Sequence, residues 1–164
     1  MAWACDPFID LVDASIAEAK AAADVVIVMV HGGEEGVMCP SSFMVDLREH
    51  WSELGVDLVV DGHPHVVQGL RRYDDMMVVN STGNFAFPAA NGFSANSAIF
   101  LATVSEDGIE LAVEPVRVPG GVASQPSEPQ RQEILNQIDQ ASNGVRVTST
   151  GAVVADPEWV GSCG

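Results

Sequence analysis

The chain has 164 residues, enough for one domain with a hydrophobic core and too few for two, so we expect a single domain over residues 1–164. Hydrophobic residues make up 47% of the chain, but no apolar run reaches the roughly 18 to 20 residues that a membrane-spanning helix requires, which predicts a soluble protein. Seven basic residues face 23 acidic ones, and the formal net charge of -16 excludes nucleic acid and anionic membranes as partners, because too few cations are present to neutralise phosphates.

The first half of the chain contains two successive helix-then-strand patterns. Apolar residues at helical spacing over 8–16 predict a helix, and the run VVIVMV over 25–30 predicts a strand that is buried on both faces. A second amphipathic helix runs to Leu54 and is stopped by Gly55, and VDLVV then predicts a second strand up to Asp61. Two such units indicate a mainly parallel sheet.

The second half shows short strands and one more helix. MMVVNST and SAIFLATVSEDGIELAVEPVRV are apolar or alternating runs, and SEDG at 105–108 predicts a hairpin. QPSEPQRQEILNQIDQASNG predicts a final helix that ends at Asn143-Gly144, followed by one last strand over 145–155. The expected fold class is α/β, with a mixed sheet that is parallel in the first half and antiparallel in the second.

The three cysteines, Cys5, Cys39 and Cys163, are scattered without a C-x-x-C spacing. Their odd number argues against a closed disulfide framework, so we interpret them as free thiols. Cys39 alone lies near other candidate metal ligands in the sequence.

Three of the four histidines lie at the carboxyl ends of the two predicted parallel strands, where open α/β sheets place their sites. His31 begins HGGEEG, and His63 and His65 flank a proline in GHPH. A lone histidine at a strand end is most often structural, but the rigid H-P-H turn together with His31 favours a shared cation site. Imidazole suits zinc, with manganese as the alternative, and three nitrogen ligands leave a position for water. His50, inside the second predicted helix, is interpreted as a surface or helix-packing residue.

Nearby acids and one amide are further candidates. Glu34 and Glu35 follow His31 so closely that at least one is expected to face the same cleft, as a ligand, as the partner of a ligand or as a proton acceptor. The alternative is that both are solvated loop acids. Asp61 is a candidate to orient an imidazole. Asn84, in STGNFAFP, offers an amide for a substrate oxygen or lies in an ordinary turn.

Three segments, ADVVIVMVHGGEEG, ELGVDLVVDGHPHVVQGLRRYDD and VVNSTGNFAF, resemble the carboxyl-terminal half of the CapA-type capsule and poly-γ-glutamate synthesis proteins, in the calcineurin-like metallophosphatase superfamily. The family's H-W-G-x-E and S-L-G-N-F elements are each matched with one replacement, Gly32 and Thr82 respectively. Its G-x-H-P-H-V-x-Q-G element is matched from His63 onward, whereas the two positions before it, Asp61 and Gly62, differ from the family pattern. The matching positions are His31, Gly33, Glu35, His63, Pro64, His65, Val66, Gln68, Gly69, Ser81, Gly83, Asn84 and Phe85.

The resemblance implies half of a four-layer αββα sandwich. Nothing before Ala23 matches the early G-D and Asn-containing motifs of the family's first half, so one tightly held ion is expected instead of two. The sheet face that the missing half would cover is expected to be closed by a second copy of the chain, as a homodimer. The resemblance also implies a bacterial protein whose full-length relatives belong to the cell envelope. The start MAWACDPFID lacks the features of a secretory signal, and localisation stays open.

The leading functional hypothesis is a metal-dependent hydrolase, with phosphate esters as the substrate class that the resemblance implies. The three histidines would hold the ion, Glu35 or Glu34 would be the general base, and Asn84 a secondary oxygen donor. Cleavage of carboxyl esters, lactones or peptides stays open. One alternative is a component that assembles or binds capsule polymer or poly-γ-glutamate without hydrolysis. Another is a metal-binding remnant with no activity.

Overall fold

The computed structural model describes residues 6–88 and 90–164. Within them, three α-helices span Asp6–Ala22 (α1), Ser42–Glu53 (α2) and Glu128–Ala141 (α3), and two short 3₁₀ helices span Gly92–Ala95 and Pro119–Gly121. The strands are Ile27–His31 (β1), Leu58–Gly62 (β2), Leu70–Tyr73 (β3), Met76–Val79 (β4), Asn96–Ser105 (β5), Gly108–Arg117 (β6), Asn143–Val147 (β7) and Val153–Val160 (β8). None of the helices in these residues has the length and apolarity needed to cross a membrane.

Six of the strands form one mixed sheet, in the order β1-β2-β4-β3-β7-β8. β1, β2 and β4 are parallel, whereas β3 is antiparallel to β4 and β8 is antiparallel to β7. β5 and β6 pair as a separate antiparallel hairpin. The α/β class, the mixed sheet and its parallel beginning are therefore confirmed, while the four-layer sandwich stays a prediction.

Two hydrophobic clusters cover the two faces of this sheet. On one face, α1 and α2 pack against β1, β2 and β4 through residues that include Ile16, Leu47, Trp51 and Val59. On the other face, α3 and the β5–β6 hairpin pack against the middle of the sheet. The best-buried residues of this second cluster include Val67, Leu70, Val79, Ile134, Leu135, Ile138 and Val145. The second half of the chain thus covers the face that the helices of the first half leave free.

The prediction that the first strand is buried on both faces is wrong. Ile27 and Met29 are 49% and 82% exposed, whereas Val28 and Val30 pack toward α1 and α2. Met29 is in register with Val60 of β2, so it points to the face covered by α3 and the hairpin. Because β1 is the edge strand, that cover does not reach it. An unbroken apolar run predicts a strand but not how far a neighbouring layer extends.

The other predicted elements are mostly confirmed, with one further error. Gly55 has a φ of 79° just after α2, a left-handed conformation that suits a glycine helix stop. The SEDG hairpin is present between β5 and β6. The single last strand predicted over 145–155 is instead a hairpin, with β7 and β8 joined by a turn in which Gly151 has a φ of 88°. Alternating apolar residues continue on both sides of the TSTG turn, so the sequence pattern does not indicate that one strand ends there and another begins.

The interpretation of the cysteines as free thiols is also wrong for two of them. Cys39 and Cys163 form a disulfide across 124 residues of sequence. An odd number of cysteines excludes only complete pairing, and a contact over such a separation depends on the tertiary fold. Cys5 lies outside the described residues.

Gly69 permits a close approach between the first half of the chain and α3. A Cβ atom at this position would lie 2.2 Å from the carbonyl carbon of Ala141, the last residue of α3. The next residue, Leu70, donates its N–H to the Ser142 hydroxyl at 2.8 Å. A side chain at Gly69 would therefore force β3 away from the end of the helix.

Candidate functional site

The carboxyl ends of β1 and β2 bring His31, His63 and His65 together. His31, the last residue of β1, is in register with Gly62, the last residue of β2, and His63 follows directly. The ring centroids of His31 and His63 are 5.0 Å apart, and those of His63 and His65 are 6.2 Å apart. The parallel pairing thus makes neighbours of residues more than 30 positions apart in sequence.

The backbone at two of these histidines has an unusual conformation. His63 has a φ of 93° and His65 a φ of 58°, and Asp74 is the one other residue besides glycines that has a positive φ in the described part of the chain. For side chains other than glycine such a conformation costs about 1–3 kcal/mol, and it is concentrated at functional sites. Pro64 between them is buried, and its carbonyl accepts the Gly36 N–H at 2.8 Å. The surrounding structure therefore holds the backbone of both histidines in this conformation at a cost in energy.

Asn84 determines the orientation of His65. The Asn84 amide nitrogen donates to the carbonyls of His65 at 2.8 Å and of Ser94 at 3.0 Å, so its Oδ1 faces His65 Nδ1 at 2.7 Å. Since Oδ1 can only accept, Nδ1 carries a proton, and in the neutral ring this tautomer has its lone pair on Nε2. Metal-binding histidines typically donate their second nitrogen in this way. The His65 ring also stacks on Phe87, with centroids 4.4 Å apart.

A buried ion pair supports the same edge of the sheet. Arg48 of α2 and Asp61 of β2 are both about 1% exposed and form a salt bridge. Asp61 Oδ1 also accepts the Gly32 N–H at 3.0 Å, and Arg48 donates to Asn80 Oδ1 at 2.7 Å. Burial raises the pKa of Asp61 above its ordinary value, against the opposing effect of the Arg48 charge. The carboxylate thus holds the loop after His31.

This arrangement departs from the sequence prediction in two respects. Asp61 was a candidate to orient an imidazole, yet its carboxylate binds the Arg48 guanidinium and the Gly32 N–H. Arg48 was not singled out at all. The available signal was a charged residue on the apolar side of α2, four positions after Met44 and three before Trp51, both of which are buried. A charge on such a stripe indicates a buried partner.

Glu34 and Glu35 lie in the exposed loop between β1 and α2. Neither carboxylate forms a hydrogen bond or an ion pair with another described residue. The loop itself is attached to the GHPH segment, because Gln68 donates to the Val37 carbonyl at 2.7 Å in addition to the contact at Pro64. Both acids are therefore close in sequence to His31 and open to solvent.

His50 lies apart from these residues. Its Nε2 is 2.8 Å from Asp13 Oδ2 of α1, and its side chain is 35% exposed. This position agrees with the interpretation of His50 as a helix-packing residue.

The donor chemistry of the three histidines fits a transition metal, but the set of ligands is incomplete. Imidazoles lie next to one another, and His65 presents a free Nε2. Across residues 6–88 and 90–164, however, no group of three or more His, Cys, Asp or Glu side chains is placed to hold an ion. Zinc takes four ligands, so a side-chain rotation, water or a partner chain would have to complete the site.

The family model and the curated relatives that match this chain are all capsule or PGA synthesis proteins. The model of the bacterial capsule synthesis protein family PGA_cap matches residues 8–89, which is half of the 164 residues. The PGA biosynthesis protein CapA of Bacillus subtilis (strain 168) is 38% identical over 72 residues, 44% of this chain and 19% of the relative. The capsule biosynthesis protein CapA of Bacillus anthracis is 32% identical over 103 residues, 62% of this chain and 25% of the relative. The matched part thus spans about a fifth to a quarter of these curated relatives.

Proposed function

The chain belongs to the bacterial capsule synthesis protein family PGA_cap, and we propose that it is a metal-dependent hydrolase of phosphate esters. The observation that carries the proposal is the contact between His65 Nδ1 and Asn84, which leaves Nε2 without a partner, on a ring 6.2 Å from that of His63. The strained backbone at both GHPH histidines supports it further. When bound by these three imidazoles, a zinc or manganese ion would supply Lewis acidity and lower the pKa of water.

Each residue has a defined task in this proposal. His31 and His63 come from the ends of adjacent strands and present their rings toward each other, and Asn84 orients His65. The Asn84 amide nitrogen already donates to two backbone carbonyls. We therefore assign Asn84 the orientation of His65, in place of the substrate-oxygen contact expected from the sequence. Glu35, with Glu34 as the alternative, accepts the proton of the attacking water. The open site does not discriminate strongly between phosphorus and carbon centres, which leaves carboxyl esters and amides as further substrates.

Elemental analysis and an activity screen test the proposal. The purified protein is analysed for zinc and manganese and assayed on bis-p-nitrophenyl phosphate, before and after chelation. His63→Ala is expected to lose both bound metal and hydrolysis, while His50→Ala, the matched histidine paired with Asp13, keeps both. Full metal occupancy in His63→Ala would contradict the assignment of the ligands.

A second candidate is a component that assembles or binds capsule polymer without hydrolysis. The names of the two Bacillus relatives, which refer to PGA and capsule biosynthesis, favour it, as does the incomplete set of metal ligands. The net charge of -16 opposes direct binding of a polyanion such as poly-γ-glutamate. A pull-down on immobilised poly-γ-glutamate, with and without divalent cations, tests this candidate. Failure of both assays would indicate a remnant without activity.

A further inference from the structure

The disulfide links the loop beside the histidine site to a distant part of the chain. Cys39 lies in the segment between β1 and α2, eight positions after His31 and four after Glu35. Its partner, Cys163, lies in the segment that follows β8. The bond therefore joins the loop that carries the proposed base to residues that are remote in sequence.

Few other contacts hold this loop on its outer side. The segment from 32 to 41 contains no helix or strand, and both of its glutamates are exposed. The N–H groups of Gly32 and Gly36 and the carbonyl of Val37 form hydrogen bonds with the end of β2 and the segment that follows it, up to Gln68. These contacts restrain one side of the loop, so the disulfide is the main restraint on the other side.

The far end of the disulfide is firmly anchored. Gly161 donates its N–H to the Ser142 carbonyl at 3.1 Å, and the Ser162 N–H donates to the Gln140 carbonyl at 2.7 Å. These carbonyls lie at the end of α3, whose inner face is fully buried in the core. The disulfide consequently ties the loop to one of the most rigid elements of the fold.

The loop, α3 and the disulfide border one groove. It is lined by Met38 of the loop, Gln140 of α3 and Cys163. Phe93 contributes to the same groove and is adjacent to Ser94, whose carbonyl holds the Asn84 amide. Cys163 thus lines a groove that it shares with the loop and with α3, and both cysteines of the disulfide are half-buried.

We infer that the Cys39–Cys163 disulfide is a positioning element of the histidine site, so that the site operates fully only when these cysteines are oxidised. The expected effect on catalysis rests on the proposed function, whereas the expected effect on the loop does not. Disulfides persist in oxidising compartments, so the site is suited to work there. On reduction, a dithiol donates two electrons and two protons, the S–S bond breaks into two thiols, and the reductant becomes a cyclic disulfide. The loop then loses its outer anchor while the core stays folded.

Hydrogen exchange of the native protein with and without dithiothreitol tests the inference. Amides of residues 33–38 are expected to exchange at least tenfold faster after reduction, whereas amides of Ile134, Leu135 and Ile138 in α3 stay unchanged. In parallel, kcat for the chromogenic phosphodiester is expected to fall at least tenfold with little change in KM, and to recover on reoxidation. The Cys39→Ser/Cys163→Ser variant should behave like the reduced protein, and Cys5→Ser like the oxidised one.

The outcomes separate this inference from the proposed function. Alkylation of Cys39 and Cys163 without prior reduction, or loop exchange that reduction does not change, would overturn the inference. Faster loop exchange with unchanged kcat would overturn it as well, because the disulfide would then be only structural. If neither redox form hydrolyses any ester, the proposed function fails, and loop exchange alone decides whether the disulfide positions the histidine loop.

Discussion

The tautomer of His65 depends on a single neighbour, Asn84. Asn84 is 4% exposed, and its amide group is fixed by two backbone carbonyls, so it can present only an acceptor to His65 Nδ1. This arrangement keeps the lone pair on Nε2, the nitrogen that faces away from Asn84. The same contact also holds a ring whose backbone is left-handed and therefore strained.

Removal of this contact is expected to weaken metal binding. Asn84→Ala should lower zinc affinity by roughly 10- to 100-fold, the usual effect of losing a hydrogen-bond partner of a metal-binding histidine. Zinc titration by calorimetry measures the change. Asn136→Ala, on the exposed face of α3, serves as the matched control and should bind zinc as the wild type does. Equal affinities in both variants would show that His65 is not a ligand.

Glu35 is expected to act as the proton acceptor. Glu35→Gln keeps the size and polarity of the side chain but removes the base, and a general base typically contributes about 10²- to 10⁴-fold to the rate. Phosphodiester hydrolysis should fall by at least that lower factor. Glu34→Gln, at the adjacent exposed position, tests the alternative base in the same assay. A loss of less than about threefold in Glu35→Gln, or a larger loss in Glu34→Gln, would assign the role elsewhere.

At the level of helices and strands, α3 is joined to the last hairpin through one carboxylate. Asp139 accepts hydrogen bonds from Arg146 Nε and Nη2, both at 2.9 Å, and from the Val147 N–H at 2.7 Å. Burial alone would raise the pKa of Asp139, but these hydrogen bonds and the Arg146 charge lower it below its ordinary value. Arg146 also lies over the Trp159 ring at 3.8 Å, so the carboxylate connects α3 with both β7 and β8.

The lowered pKa predicts how stability depends on pH. Because the folded state binds the proton of Asp139 less tightly than the unfolded state, its contribution is complete above the unfolded pKa of about 3.9 and is lost as the pH falls through the folded pKa. Asp139→Asn should cost about 1–3 kcal/mol at pH 7, through the lost charged hydrogen bonds, and less at pH 3. Urea unfolding at both values measures this. Asp46→Asn, on the exposed side of α2, should show no such difference, and an equal cost for Asp139→Asn at both values would refute the prediction.

The elements that the sequence predicts correctly are those with local signals. Gly55 stops α2, and the meeting of His31 with His63 follows from two parallel strand ends. The exposed face of β1 and the Cys39–Cys163 bond were missed because both depend on which distant segments pack there. The left-handed backbone of the GHPH histidines has no local signal either, since neither residue is a glycine.

At the scale of the whole molecule, an apolar surface is left open at the edge formed by α1 and β1. Phe8 and Leu11 of α1 are 68% and 64% exposed, and they line one groove together with Ile27 of β1. Met29 extends this surface along the unpaired edge of the sheet. α3 and the β5–β6 hairpin cover the rest of the sheet face to which Met29 points. The exposed apolar area is therefore smaller than the whole bare sheet face expected from the sequence. Exposed apolar edges of this kind favour association.

We expect two copies to associate through this edge around a twofold axis. Burial of apolar surface gains about 25 cal/mol per Å², while the charge of -16 on each copy opposes association, so moderate salt should strengthen the dimer. Light scattering coupled to size exclusion should give twice the 17.3 kDa of one chain. Met29→Lys should give a monomer, and Val160→Lys, at the exposed opposite edge, should not. A wild-type protein that stays at 17.3 kDa at every salt concentration would contradict the prediction.

The contact at Gly69 has an evolutionary consequence. This glycine closes the family element that contains the two GHPH histidines, yet the atoms that exclude a side chain from it belong to Ala141 and Ser142, beyond the matched residues 8–89. The steric constraint on this position therefore comes from a segment outside the residues that the family model matches. We expect any lineage that lost or exchanged the α3 segment to be released from the need for glycine here. Conversely, a fragment that ended at residue 89 would keep the matched family residues, including Gly69, but would lack α3, the helix that requires glycine at this position.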